Sequence, residues 1–362
     1  MFTEADRNHM TRALELAERG LYTTTPNPRV GCVLVRDGEV VGEGWHERAG
    51  GPHAEVVALE AAGTRAKRST AYVTLEPCAH HGRTPPCSEA LIRAGVGAVV
   101  AALQDPNPLV AGKGLEALRA AGIETHCGLL ENEAREVNIG FLSRMTRARP
   151  WLRMKIAASL DGRTALSNGR SQWITGADAR RDGHHWRARA CAVLTGIGTV
   201  MEDDPQLTVR DVETPRQPVR VVVDSRLEIP AAARVLGPGT LIAAARDDSL
   251  RRAALQARGA EIIVVPNTAG KVDLGALMAE LARRGMNEVH IEAGYKLNGS
   301  LLRENLVDEL VLYLSPSLLG DAARGMFHLP DLADLSGRRE LELREVRNVG
   351  ADLRVLARVK GA

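Results

Sequence analysis

The chain has 362 residues, with 44% apolar and 25% charged side chains, a balance that suits a water-soluble protein with two cores. Lys+Arg number 47 against 45 Asp+Glu, a net charge of +2 without long runs of one sign, which argues against a nucleic-acid-coating protein. No apolar stretch is long enough to span a bilayer, so no contact with a membrane is expected. In chain order, residues 4–19 read as a helix, because Met10, Leu14 and Ala17 recur at helical spacing before Gly20. Val30–Val35 and Glu39–Trp45 read as strands around an Asp37-Gly38 hairpin. A helix is predicted over His53–Ala62, a strand over Thr70–Leu75, a helix near Ser88–Arg93 and a strand over Val96–Leu103. A helix and strand follow over Gly114–His126, and Glu131–Ser143 reads as one last helix. Strands alternating with helices imply an α/β domain over residues 1–145. The Arg-rich, Pro-closed stretch Arg144–Pro150 is the linker candidate, with a second α/β domain over 146–362. There, strand-like runs appear at Trp151–Ala158, Cys191–Thr195, Val219–Val223, Leu241–Ala245, Glu261–Val265, Glu288–Ile291 and Glu309–Leu314.

The first half carries a metal constellation. His53-Ala54-Glu55 opens a predicted helix, and Pro77-Cys78 and Pro86-Cys87 follow. One imidazole and two thiolates suit tetrahedral Zn²⁺, and three protein ligands leave a fourth position for water. Glu55 lies two positions beyond His53, and such neighbours on a helix do not share a face. It is therefore better suited to handling the proton of a bound water than to joining the metal. A closed Cys₂His₂ site using His80 or His81 is the rival, and it leaves Glu55 without a task. Cys32, Cys127 and Cys191 sit in apolar runs and read as packed thiols. Five sparse cysteines and an N-terminus without a signal-peptide pattern suggest a reducing cytoplasm.

The order H-x-E, P-C, C is that of zinc deaminases. Eight residues between Cys78 and Cys87, in Pro77-Cys78-Ala79-His80-His81-Gly82-Arg83-Thr84-Pro85-Pro86-Cys87, narrow the likeness. With Thr25-Pro26-Asn27-Pro28-Arg29-Val30-Gly31, Asp105-Pro106-Asn107-Pro108 and Gly112 and Gly114, the first half resembles the deaminase half of the bifunctional riboflavin-biosynthesis enzymes. The resemblance implies a cytidine deaminase-like three-layer sandwich. It also implies deamination of a diaminopyrimidinone bearing a ribosylamino 5′-phosphate, a small phosphorylated pyrimidine. Glu55 would take a proton from the zinc-bound water and return protons to the ring nitrogen and the departing ammonia. Asn27 and His46 are further candidates for holding the ring, and His80 and His81 for shaping the pocket.

The second half lacks a G-x-G-x-x-G after its first strand. Its runs Ile156–Ala165, Ser171-Gln172-Trp173-Ile174-Thr175, Gly198-Thr199-Val200, Asp203–Arg210, Val223-Asp224-Ser225-Arg226 and Glu292-Ala293-Gly294 resemble the reductase half of the same family. That implies a dihydrofolate reductase-like fold, NADPH as cofactor and assembly into a homo-oligomer through this domain. Gly294 closes a strand before a helix start, where phosphates can meet backbone N–H groups. The cofactor's phosphates are accordingly expected along Gly294, Tyr295, Lys296, Leu297, Asn298, Gly299 and Ser300, with Thr199 and Ser225 nearby. Ala157 and Trp173 would pack on the cofactor, and Arg226 is a candidate for its extra phosphate. Arg187 and Arg210, helped by Ser171, would hold the substrate's phosphate. By resemblance, Lys155, Asp203 and Glu292 lie near the reacting ribose, with Leu207 on the substrate side and Asp203 also bordering the cofactor. Opening the ribose gives an imine that hydride reduces to ribityl, a nearby carboxylate stabilising the cation.

Two other readings compete. A nucleotide or nucleic-acid base deaminase with a C-terminal binding module needs a basic, aromatic-lined groove, whereas only 3% of residues are aromatic. A zinc-stabilised interaction protein needs four protein ligands.

Overall fold

The computed structural model describes residues 2–79, 85–107 and 110–361. It divides into two compact units, Met1–Ala148 and Arg149–Ala362. In the first, helix α1 (Glu4–Glu18) starts on a capping box in which Thr3 and Asp6 satisfy each other's backbone N–H. Strands β1 (Gly31–Arg36) and β2 (Glu39–Trp45) form the expected hairpin, with Asp37 and Gly38 both at positive φ. Then come α2 (Ala54–Ala62), β3 (Thr70–Val73), α3 (Cys87–Ala94), β4 (Ala98–Ala101), α4 (Lys113–Ala120) and β5 (Glu124–Cys127). The expected last helix is two, α5 (Glu131–Val137) and α6 (Ile139–Arg147), broken at Asn138. Asn138 is buried, and its amide accepts from Arg29 N–H and donates to Arg29 C=O, both at 2.8 Å. Arg144–Arg147, read as linker, are the last turn of α6, which ends at Ala148 in the left-handed region.

The sheet runs β2-β1-β3-β4-β5, antiparallel at β1 and parallel from β3 onward. Because side chains alternate across a strand, Val33 and Val35 pack with α1, α5 and α6, whereas Cys32 and Leu34 pack with α2, α3 and α4. The result is the three-layer sandwich implied by the resemblance. A Cβ at Gly44 on β2 would lie 2.5 Å from Ala54 O, so only glycine lets the start of α2 lie this close to the sheet.

The second unit contains β6 (Trp151–Ser159), β7 (Arg163–Ala165), α7 (Ala177–Arg189), β8 (Ala192–Gly196), α8 (Ile197–Asp203), β9 (Val219–Val223), β10 (Thr240–Ala244), α9 (Ser249–Ala257) and β11 (Ala260–Val264). It continues with α10 (Leu274–Arg283), β12 (Glu288–Ile291), α11 (Tyr295–Arg303), β13 (Glu309–Ser315), β14 (Arg324–Gly325), β15 (Leu341–Val349) and β16 (Asp352–Val359). The large sheet has the order β11-β10-β9-β8-β12-β6-β13-β16-β15, parallel through β13 and antiparallel in the closing ribbon. Its interior is aliphatic, with Leu152, Met154, Leu194, Val289 and Ile291 at 0% exposure. Such two-faced burial is what parallel strands require. Arg153 on β6 is one of the buried charges in this sheet, paired with Glu288 on β12 at 2.9 Å and with Glu309 on β13. Among the described residues no helix is long and apolar enough to cross a membrane.

Candidate active sites

In the first unit, the sheet sets the N-termini of α2 and α3 beside each other. His53 is the N-cap of α2, and Cys87 is the first residue of α3. Cys78 comes from the loop after β3. The His53, Cys78 and Cys87 ligand atoms all lie within 4.8 Å of one another. His53 Nδ1 is 3.2 Å from Cys87 Sγ and 3.6 Å from Cys78 Sγ. A tetrahedral zinc with bonds of roughly 2.0–2.3 Å needs ligand atoms about 3.5 Å apart, so the donor set fits it. No fourth His, Cys, Asp or Glu joins this group among the described residues. His80 and His81, the sequence candidates for pocket shaping or a fourth ligand, lie outside the described residues.

Glu55 sits in the first turn of α2, 3% exposed. Burial, with the neighbouring Cys78 charge, pushes its carboxyl up to about 7. The hydrogen bond from Cys87, with help from His53, brings Cys78 down to about 4, while sharing with Cys78 and burial hold Cys87 far above a free thiol. His46 is buried, and its Nδ1 lies 2.8 Å from Pro52 O. A carbonyl only accepts, so Nδ1 carries the hydrogen and Nε2 accepts from Asn27 Nδ2 at 3.1 Å. His46 thus orients Asn27, whose amide oxygen is left pointing away from it.

Glu76, directly before Pro77-Cys78, was not singled out from the sequence. Its buried carboxylate accepts from the backbone N–H groups of Gly112 and Gly114 at 2.9 Å and of Asp105 and Leu115 at 3.2 Å. It ties the Cys78 loop to the start of α4, where a Cβ on Gly114 would lie 1.8 Å from Pro77 O. An acid ending an apolar strand was the cue. Glu76→Gln keeps the shape but turns an acceptor into a donor against two N–H groups. It is expected to cost about 1–3 kcal/mol for each orphaned donor and to lower zinc content, read by elemental analysis and thermal unfolding.

In the second unit, a cleft of about 1460 Å³ opens at the carboxyl ends of the central parallel strands. It exceeds the roughly 300–1,000 Å³ of a single small-molecule pocket, leaving room for a cofactor and a substrate together. The sequence candidates Lys155, Ala157, Ser171, Trp173, Arg187, Thr199, Asp203, Leu207, Arg210, Ser225 and Glu292 line it. So do Gly294, Tyr295, Lys296, Leu297 and Ser300. Gly294 is the N-cap of α11, whose first N–H groups are unpaired within the helix. Asn298 and Gly299 are the exceptions. Asn298 is 2% exposed with its amide toward Met326 O, and a Cβ on Gly299 would lie 2.1 Å from His328 O. Successive helix residues turn by about 100°, so a continuous run cannot all face one cleft. Arg226 is also off the cleft lining and pairs with Glu228 at 3.1 Å.

At the centre of the cleft, Glu292 holds the Arg187 guanidinium through two bonds, one of them Nη2–Oε2 at 2.8 Å. Arg187 Nη1 donates to Thr208 O at 2.9 Å. Burial works to raise the Glu292 carboxyl, but Arg187, His290 and Lys155 outweigh it and hold it well below the ordinary range. Burial lowers the Lys155 ammonium, Glu292 opposing and Arg187 assisting. Burial and the charge of Glu202 raise Asp203. Trp173 is exposed at the rim, the Arg180 guanidinium 4.6 Å from its ring centre. Arg234, Asn267, Lys271, Arg303 and Arg324 also line the cleft and were not picked from the sequence.

Residues 150–355 match the model of the RibD C-terminal domain, and residues 3–103 match that of the cytidine and deoxycytidylate deaminase zinc-binding region. The riboflavin biosynthesis protein RibD of Escherichia coli (strain K12) is 49% identical, over 96% of this chain and 98% of the relative. The structure of Acinetobacter baumannii RibD superposes with a TM-score of 0.92 at 45% identity, covering 99% of both chains. The Thermotoga maritima diaminohydroxyphosphoribosylaminopyrimidine deaminase/5-amino-6-(5-phosphoribosylamino)uracil reductase superposes with a TM-score of 0.87 at 33% identity, covering 98% of this chain and 99% of the other. With a zinc-binding deaminase unit and a reductase unit both present, the chain belongs to the RibD family of bifunctional deaminase–reductases of riboflavin biosynthesis.

Proposed function

We propose that Met1–Ala148 deaminates 2,5-diamino-6-(5-phosphoribosylamino)pyrimidin-4(3H)-one and that Arg149–Ala362 then reduces the ribosyl group of 5-amino-6-(5-phosphoribosylamino)uracil with NADPH. The observation that carries this reading is the three-donor cluster of His53, Cys78 and Cys87 with buried Glu55 beside it. Zinc held by the three would supply an acidified water at the position they leave open. Glu55 takes a proton there through a carboxylate oxygen, then passes protons to the pyrimidine ring nitrogen and to the departing amine. Asn27, oriented by His46, offers its amide oxygen to a ring N–H.

In the cleft, NADPH would supply hydride, its phosphates over the α11 N-terminus between Gly294 and Leu297, with Thr199 and Ser225 alongside. Arg187, Arg210 and Ser171 meet the substrate's phosphate, Arg187 exchanging part of its pairing with Glu292 for it. Lys155 gives a proton to the ribose oxygen as the ring opens, and Glu292 and Asp203 stabilise the resulting cation. The relatives' biosynthetic role and the free thiols fit a cytoplasmic setting. Self-association through the second unit is also proposed, supported by Leu343 and Val346, 64% and 52% exposed on edge strand β15. Light scattering of the pure protein reads it directly.

The test of the reaction order is to supply the diaminopyrimidinone and follow ammonia with and without NADPH. Ammonia is expected in both cases and NADPH oxidation only after it. NADPH consumed before any ammonia appears overturns the order.

A further inference from the structure

We propose that Lys271 is the residue that distinguishes a dinucleotide carrying a 2′-phosphate from one lacking it. The proposal rests on the reading of the second unit's cleft as the dinucleotide site. If the diphosphate lies over the α11 N-terminus and the reacting ring lies against Lys155 and Glu292, the adenosine end is constrained. The strand order β9-β8-β12-β6 puts Ser225, just past β9, across the sheet from Lys155 on β6. The adenosine must therefore run toward Ser225.

The cleft wall at that end is made by Ser225, Asn267, Lys271, Val272 and Leu274. Val272 and Leu274 are apolar, which suits a base. Ser225 Oγ accepts from Val272 N–H at 3.2 Å, so its own hydrogen is free to be donated outward. The same bond holds the chain beside Lys271 against Ser225. Asn267 Oδ1 accepts from the N–H groups of Ala269 and Lys271, both at 3.0 Å, which fixes the turn that presents Lys271.

Charge and place together single out Lys271 among the cations. Lys155, Arg180, Arg210 and Lys296 also line the cleft without an ion pair among the described residues. Lys155 and Arg210 belong to the substrate end, however, Arg180 stacks on Trp173, and Lys296 is in the first turn of α11. Arg187 is engaged by Glu292, Arg324 by Glu202 at 2.9 Å, and Arg303 by His328 O and Ser300. Arg226 is off the cleft. Lys271 makes no ion pair among the described residues. Arg234 makes none either, but its backbone N–H is bonded to Asp204 at the end of α8, whereas Lys271 is tied to Ser225 through its neighbour Val272. A phosphomonoester brings roughly two negative charges at neutral pH, and an unpaired ammonium beside a free hydroxyl donor is the matching group. A cofactor without that phosphate leaves Lys271 in water at no cost, so selectivity arises from gain rather than from rejection.

Calorimetric titration of the whole protein with NADP⁺ and NAD⁺ tests this without turnover. The wild type is expected to prefer NADP⁺, and Lys271→Ala to lose roughly ten- to hundredfold in NADP⁺ affinity with NAD⁺ unchanged. Lys271→Arg should recover part of the loss. Full NADP⁺ preference in Lys271→Ala, an equal loss for both dinucleotides, or a selective loss in Arg234→Ala instead overturns the proposal while the cofactor site stands. A wild type that binds neither dinucleotide overturns the cofactor site and this proposal with it.

Discussion

Glu55→Gln is expected to lower deamination by roughly 10²–10⁴-fold, the usual contribution of a positioned acid–base group, with zinc content unchanged. The substitution is nearly isosteric, and Glu55 is 3% exposed at a helix start, so the amide occupies the same volume. Glutamine cannot accept a proton at neutral pH, so the transfer to ring nitrogen and leaving amine is removed. The three donors, His53, Cys78 and Cys87, are untouched, so the metal should stay. Reductase activity, assayed with the uracil intermediate supplied directly, should be that of the wild type. Elemental analysis and ammonia release read the two effects separately. Loss of zinc together with activity would make Glu55 a ligand, and full activity would remove it from the mechanism.

The zinc cluster was legible because its residues carry rare chemistry at a distinctive spacing, and because both helix starts that hold it are marked by Pro or by an acid in the first turn. The hairpin at Asp37-Gly38 was legible for the same reason: local turn chemistry decides it. What was missed depends on partners distant in sequence. The break at Asn138 exists because its side chain binds the backbone of Arg29, and nothing near Asn138 announces that. The β15–β16 ribbon was not singled out, since β15 is an exposed edge strand whose Glu and Arg residues read as surface. Arg153 sits in a core strand only because Glu288 and Glu309 from two neighbouring strands neutralise it. In the cleft, the expected phosphate run treated residues 294–300 as one surface, whereas the helix turns Asn298 and Gly299 inward. Lys271 lies far in the chain from every motif, and it enters the cleft through the bond between Val272 and Ser225.

Glu292→Gln has the largest consequence expected in the second unit. The change leaves Arg187 and Lys155 facing each other without the anion that joins them, and the side chains of Arg187 and Glu292 are only 14% and 15% exposed. Breaking a buried ion pair by removing one partner costs about 3–5 kcal/mol, less here to the extent that the cleft admits water. The substrate's phosphate can take over Arg187, but nothing takes over stabilisation of the cation formed when the ribose opens. NADPH oxidation should therefore fall by two orders of magnitude or more, roughly the loss seen when one preorganised electrostatic contact is removed. Deamination should continue.

A pH signature separates this from general damage. The Glu292 carboxyl is held well below its ordinary range, so its contribution to stability is present above the unfolded value of about 4.3 and is lost as pH falls through the folded value. Acid unfolding of the wild type should include this component, and the glutamine variant, already without it, should show a flatter decline below about pH 4. Identical acid-unfolding curves would show that the bond between Arg187 and Glu292 is incidental to stability, and reduction at wild-type rate with glutamine in place would show that it is incidental to hydride transfer.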